Sequence, residues 1–186
     1  MLRGNQETEI KLAVPDVLAA RRLLRKAGFR VSRRRVFEAN TVFDTAERTL
    51  RQANLLLRVR ETRGADTFTF KGAPLAAKHK TREELEVTLS SAATCGLILQ
   101  RLGYQRAFRY EKYRTEFRLP GVSGVATLDE TPIGVYMELE GSPRWIDWTA
   151  RRMGFREQDY ITASYGRLYL EWCTARKAEP GHMVFR

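Results

Sequence analysis

The residues best equipped for chemistry in this chain sit at alternate positions. In "ETEIKL", Glu7, Glu9 and Lys11 are separated by Thr8, Ile10 and Leu12, a spacing that puts two carboxylates and an ammonium on one face of a strand. The same arrangement returns along the chain. Arg58 and Arg60 alternate with Leu57 and Val59, Lys71 ends "TFTFK", and Arg82, Glu84 and Glu86 flank apolar neighbours. Lys112 and Arg114, then Asp129, then Glu138 and Glu140 continue it, for seven acids and seven bases on one face. Bases alone would suit any anion. Carboxylates beside them repel an anion unless a cation lies between, and hard oxygen donors suit Mg²⁺ or Mn²⁺ together with phosphate oxygens. Lysines and arginines hold the remaining oxygens, arginine often with two parallel bonds. The pattern points to a metal-complexed polyphosphate.

Eight period-two segments must position these side chains: residues 6–13, 34–45, 54–62, 66–72, 82–89, 109–119, 124–130 and 134–141. Helical spacing covers 15–29, 90–104, 142–155 and 162–172, with Ser91 and Ser142 as N-caps and Gly28, Gly103 and Gly154 as stops. The last of these carries Tyr165, Leu168, Tyr169 and Trp172 on one stripe, a packing pattern, with Tyr165 also within reach of a substrate role. Amphipathic helices bury their stripes on the apolar strand face, which turns the charged face inward. Eight antiparallel strands suffice to close a barrel. The expected class is therefore α+β, mainly β: a closed eight-stranded antiparallel barrel, or tunnel, with a charged lumen and helices packed outside. The plainer alternative is a set of half-exposed strands with surface ion pairs, each worth only about 0 to 1 kcal/mol. A dry, charged interior would cost several kcal/mol per ion, so the lumen should stay wet and hold a charged ligand.

A chain of 186 residues fits one domain, taken here as 1–175 with a tail over 176–186. The net charge of +11, concentrated in "RRLLRK" and "RVSRRR", suits nucleic acid, polyphosphate, nucleotides or anionic membrane, or marks a solvated helix face. The start lacks a signal-peptide pattern and no apolar run reaches spanning length, so a cytoplasmic protein without a membrane partner is expected. Cys95, Cys173, His79 and His182 have neither disulfide nor zinc spacing. The loop "GAPLAAKHK" reads as a solvated connection or a lid.

These pieces, in order, resemble the triphosphate tunnel metalloenzymes, also called CYTH-domain proteins, a group that includes class IV adenylyl cyclase-like and thiamine triphosphatase-like members. The likeness lies in "ETEIK", "LLRVR", "TFTFKG", "REELE", "KYR", "TLDE", "MELEG" and "SYGRLY", spanning about residues 5 to 172. Gln52-Ala53-Asn54 stands where the family leads one to expect glycine, and asparagine tolerates the left-handed backbone such a turn can need. The resemblance implies Glu7, Glu9, Asp129, Glu138 and Glu140 as metal ligands for Mg or Mn. It implies Lys11, Arg58, Arg60, Lys71 and Arg114 as the catalytic phosphate-holding bases, with Arg82, Lys112 and Tyr165 as further substrate contacts and Glu84 and Glu86 in support. The implied activity is metal-dependent hydrolysis of a small-molecule triphosphate: tripolyphosphate, thiamine triphosphate or a nucleoside triphosphate. Cyclisation of ATP to cyclic AMP and pyrophosphate, and non-catalytic binding of polyphosphate or RNA, stay open as alternatives, and so does a homodimer.

Overall fold

The computed structural model describes residues 5–75 and 77–186, so positions 1–4 of the expected domain and Ala76 of the loop lie outside it. The strands are β1 (Asn5–Val14), β2 (Arg30–Asp44), β3 (Leu56–Thr62), β4 (Asp66–Lys71), β5 (Lys80–Leu89), β6 (Gln105–Arg118), β7 (Val125–Thr131) and β8 (Gly134–Glu140). They close into one antiparallel barrel in the order β1-β5-β4-β3-β2-β6-β7-β8. Helices α1 (Val17–Lys26), α2 (Thr49–Gln52), α3 (Ala92–Arg101), α4 (Pro143–Arg152) and α5 (Tyr165–Arg176) complete it.

The period-two pattern separates two interiors. Ile10, Leu12, Leu128, Met137 and Leu139 are fully buried on the outer side of the wall, where α1 adds Ala20 and Leu24 and α4 adds Ile146 and Ala150. Burying such a side chain contributes about 2 kcal/mol, so the jacket holds α1 and α4 onto β1, β7 and β8. A second cluster seats Leu99 of α3 on Phe43, Leu57 and Val59.

The helix ends follow the sequence. Asp16, Ser91, Ser142 and Ser164 each accept a hydrogen bond from a first-turn backbone N–H. Gly28, Gly103 and Gly154 adopt positive φ, and the following Phe29, Tyr104 and Phe155 donate their backbone N–H to Leu24, Leu99 and Ala150. This is the Schellman arrangement, repeated three times. Asn54 takes φ 57°, the left-handed backbone that asparagine tolerates.

One helix departs from the jacket. α5 lies across an end of the barrel: Tyr165, Tyr169 and Cys173 pack with inward-facing Tyr110 and, less buried, Val42, Phe108 and Tyr136. The segment after it is docked rather than aperiodic chain. β7 reaches only Tyr113–Phe117 of β6, and Met183 fills the edge left beside Tyr110 by exchanging backbone hydrogen bonds with Arg109 and Glu111. The loop before β5 is likewise pinned, with Lys78 and His79 both bonded to Asp147 of α4.

Candidate active site

Strand register sets acid opposite base. Glu7 faces Arg82 and Glu9 faces Lys80 between β1 and β5; Lys11 faces Glu138 between β1 and β8. Lys71 faces Glu84, Glu38 faces Lys112, and Arg114 faces Asp129. These side chains converge on a cavity of about 1090 Å³ that runs through the barrel. Lys11, Arg58, Arg60, Lys71, Arg82, Lys112, Arg114 and Tyr165 all line it, together with Glu7, Glu9, Glu84, Glu86, Glu138 and Glu140. Of the expected residues, Asp129 alone does not.

Asp129 is fully buried beneath the lumen, and its carboxylate is saturated. It accepts from Lys112 Nζ at 2.8 Å, from Arg114 at 2.7 and 2.6 Å, and from the Tyr165 hydroxyl at 2.7 Å. With four donors around two oxygens it is arranged to aim bases, which differs from the metal-ligand role the resemblance implies for it. Tyr165 is drawn into the same knot, with the ammonium groups of Lys11 and Lys112 about 5 Å from its ring centre.

Four further residues belong to the site. Glu38 is fully buried, 3.5 Å from Arg60 and 3.7 Å from Lys112. Asn40 accepts from Arg60 at 3.0 Å, Lys80 reaches Glu9 at 3.1 Å, and Tyr110 accepts from Arg58 at 3.3 Å. The signal for them was present: Glu38 and Asn40 share a parity in "FEANTVFD", Lys80 precedes Arg82 on the same parity, and Tyr110 precedes Lys112.

Burial opposes charge throughout the lumen, and opposite charges overcome it. Burial would raise the Glu9 carboxyl, but Lys11 and Lys80 hold it far below its ordinary value; Glu138 is held down likewise by Arg114 and Lys11. Against its own burial, Glu38 is lowered to about 2 by Lys112, Arg114 and Arg60. Tyr110, despite burial, is lowered by Arg58 and Lys112. Burial dominates at Lys80, which falls to about 8.

The acids at the mouth behave oppositely. Glu7 is raised by burial and then by Glu9, although Lys71 sits 2.6 Å from it. Glu140, exposed as a whole residue, has its carboxyl pushed up to about 7 by desolvation and then by Glu7, and it has no ion pair among the described residues. Negative charge is therefore in local excess around Glu7 and Glu140, and these carboxylates with Glu9 and Glu138 form a hard-oxygen donor set that fits a divalent cation. Among the described residues no three acidic, cysteine or histidine side chains already converge on one metal-sized point, because Glu7, Glu9 and Glu138 are each turned toward a lysine or arginine.

The model of the CYTH domain matches residues 5–180. The chain belongs to the CYTH family. Its members are enzymes, triphosphatase-like or adenylyl cyclase-like, that act on small triphosphates with divalent metal. The chain is 28% identical over 137 residues to a protein of Methanocaldococcus jannaschii named "putative adenylate cyclase", covering 73% of this chain and 77% of that one. In structure it is similar to a protein of Vibrio parahaemolyticus also named "putative adenylate cyclase", at 21% identity and TM-score 0.75 over 89% of this chain and 98% of that one. It is similar, at 19% identity and TM-score 0.64 over 89% and 95% of the two chains, to a "putative adenylyl cyclase" of Hippeastrum described as having a dominant triphosphatase activity. CYTH membership and the barrel agree. No helix among the described residues is long and apolar enough to cross a membrane.

Proposed function

We propose that this CYTH protein hydrolyses a small triphosphate in its lumen with the help of a divalent cation, Mg²⁺ or Mn²⁺. One observation carries the reading: four carboxylates, Glu7, Glu9, Glu138 and Glu140, the last without an ion pair among the described residues, share one cavity with a dense wall of arginine and lysine. Glu7, Glu9, Glu138 and Glu140 would hold the cation. When bound, it supplies positive charge against the phosphate oxygens.

The chain's own residues do the rest. Arg58, Arg60, Lys71, Arg82 and Arg114 bind phosphate oxygens when the ligand displaces their internal carboxylate partners, and charge developing on the transferred group is met by donors already in place. Asp129, Glu38 and Asn40 keep Lys112, Arg114 and Arg60 aimed into the lumen, so these side chains need little reorganisation. Water reaches the phosphoryl group through the open lumen, and no covalent nucleophile is required. The dominant triphosphatase activity described for the Hippeastrum relative supports this choice.

Cyclisation of ATP is the second reading, favoured by the names of the Methanocaldococcus and Vibrio relatives. It requires side chains that seat adenine and present the ribose 3′-hydroxyl, whereas the inward positions here are largely taken by charges. Incubation with ATP and Mn²⁺, followed by separation of cyclic AMP, ADP and orthophosphate, distinguishes the two. ADP and orthophosphate are expected, and cyclic AMP as main product overturns the hydrolase reading.

A further inference from the structure

The lumen does not explain the charge of this protein. Its strand-borne bases are Lys11, Arg58, Arg60, Lys71, Lys80, Arg82, Lys112 and Arg114, and against them stand Glu7, Glu9, Glu38, Glu84, Glu86, Asp129, Glu138 and Glu140. Eight meet eight, the Arg33–Glu116 pair at the mouth keeps the balance, and Arg48, Arg51 and Arg167 against Asp44 at the rim add only two, so most of the excess of +11 lies elsewhere.

Much of it lies on the outer faces of α1 and α4. With Ala20, Leu24 and Ala27 turned to the core, the helical period sends Arg21, Arg22, Arg25 and Lys26 to solvent around Leu18. α4 repeats the design: Trp145, Ile146 and Ala150 are buried, and Arg144, Arg151 and Arg152 surround exposed Trp148. The two helices are neighbours over one core cluster, and an Arg152 nitrogen lies 3.9 Å from where a Cβ on Gly28 would stand, just past α1. None of these seven bases makes an ion pair among the described residues, whereas most lumen bases do. The nearby Asp147 is held by Lys78, His79 and Tyr160 and offers them no counter-charge.

At the centre of each basic face stands one large apolar side chain, Leu18 at 64% exposure and Trp148 at 44%, with Arg152 stacked on the indole at 5.1 Å. Phosphate contacts alone would need no leucine there. A lipid surface uses both parts: arginines meet anionic headgroups while leucine and tryptophan enter the interfacial layer. We propose that the α1–α4 face docks the barrel onto an anionic membrane surface, leaving the lumen free for its ligand. This revises the expectation of no membrane partner, which rested on the lack of a spanning segment. It does not depend on the triphosphatase reading.

The test is co-sedimentation of the full chain with vesicles of phosphatidylcholine alone or with about one third phosphatidylserine. Each base near such a surface strengthens binding about fivefold, so Arg22→Glu with Arg25→Glu should weaken it at least about twentyfold. Leu18→Ser with Trp148→Ala should weaken binding as well, and both variants should keep the wild-type melting temperature and lumen activity. Wild-type protein left in the supernatant with phosphatidylserine vesicles overturns the proposal. So does a charge-reversed protein that sediments like wild type. If the Leu18/Trp148 variant binds vesicles normally while duplex RNA strips the protein from them, the face reads nucleic acid and the proposal fails.

Discussion

Glu38 offers the sharpest test of how the lumen is held together, because it is wholly enclosed and its environment fixes a magnitude. Glu38→Gln keeps the volume and removes the charge that faces Arg60 at 3.5 Å and Lys112 at 3.7 Å. A carboxyl moved from 4.5 to about 2 on folding contributes about 3 kcal/mol at neutral pH. Breaking one side of a buried ion pair costs about 3 to 5 kcal/mol by an independent route. The sign is fixed by linkage. Between 4.5 and 2 the unfolded chain binds the proton more readily, so the contribution is present above pH 4.5 and is lost as pH falls through 2. Urea unfolding of wild type and variant should therefore show a gap of about 3 kcal/mol at pH 7 that narrows steadily toward pH 3. A gap below about 1 kcal/mol at pH 7, or one unchanged by pH, would refute the electrostatic account of Glu38.

Three other substitutions probe separate parts of the account. Asp129→Asn takes the charged acceptor from Lys112, Arg114 and Tyr165; urea unfolding should lose about 3 kcal/mol and triphosphate turnover should fall at least about tenfold. Glu140, raised toward 7, costs the metal-free protein stability as pH rises from 4.5 through 7, so Glu140→Gln should melt higher than wild type at pH 8 and equally at pH 4. Solvent at the mouth keeps that gain under about 1 kcal/mol, and the same variant should need more Mg²⁺ for activity. Gly124→Ala would place a Cβ 2.6 Å from the Trp145 indole at φ 121°, and should lose about 3 kcal/mol or more by chemical denaturation.

The barrel was readable because each strand set charges on one parity and apolar residues on the other, and the helix stripes left one place for the apolar side. Where that alternation is broken, the reading stopped short. β2 begins at Arg30 rather than Arg34, and register shifts near Val31, Arg33 and Val36 scramble the parity of "RVSRRR". β5 begins at Lys80, two residues before the expected start, which hid a lumen lysine. The four-residue α2 is too short to display a helical period. The stripe of α5 was visible, but sequence spacing cannot say that it packs at the barrel end with Tyr110 and Tyr136 instead of against the jacket. Similarly, nothing in "TLDE" distinguishes a carboxylate that meets a metal from one saturated by three basic and phenolic neighbours, since those neighbours come from β6 and α5.

The central claim is that carboxylates at one mouth of the lumen work with a divalent cation on a triphosphate. The most direct measurement is orthophosphate release from tripolyphosphate by wild type and Glu9→Gln, each with Mg²⁺ and with chelator. The account predicts turnover by wild type that vanishes with chelator and falls at least about a hundredfold in the variant. Turnover that survives chelation, or a Glu9→Gln protein as active as wild type in Mg²⁺, would contradict it.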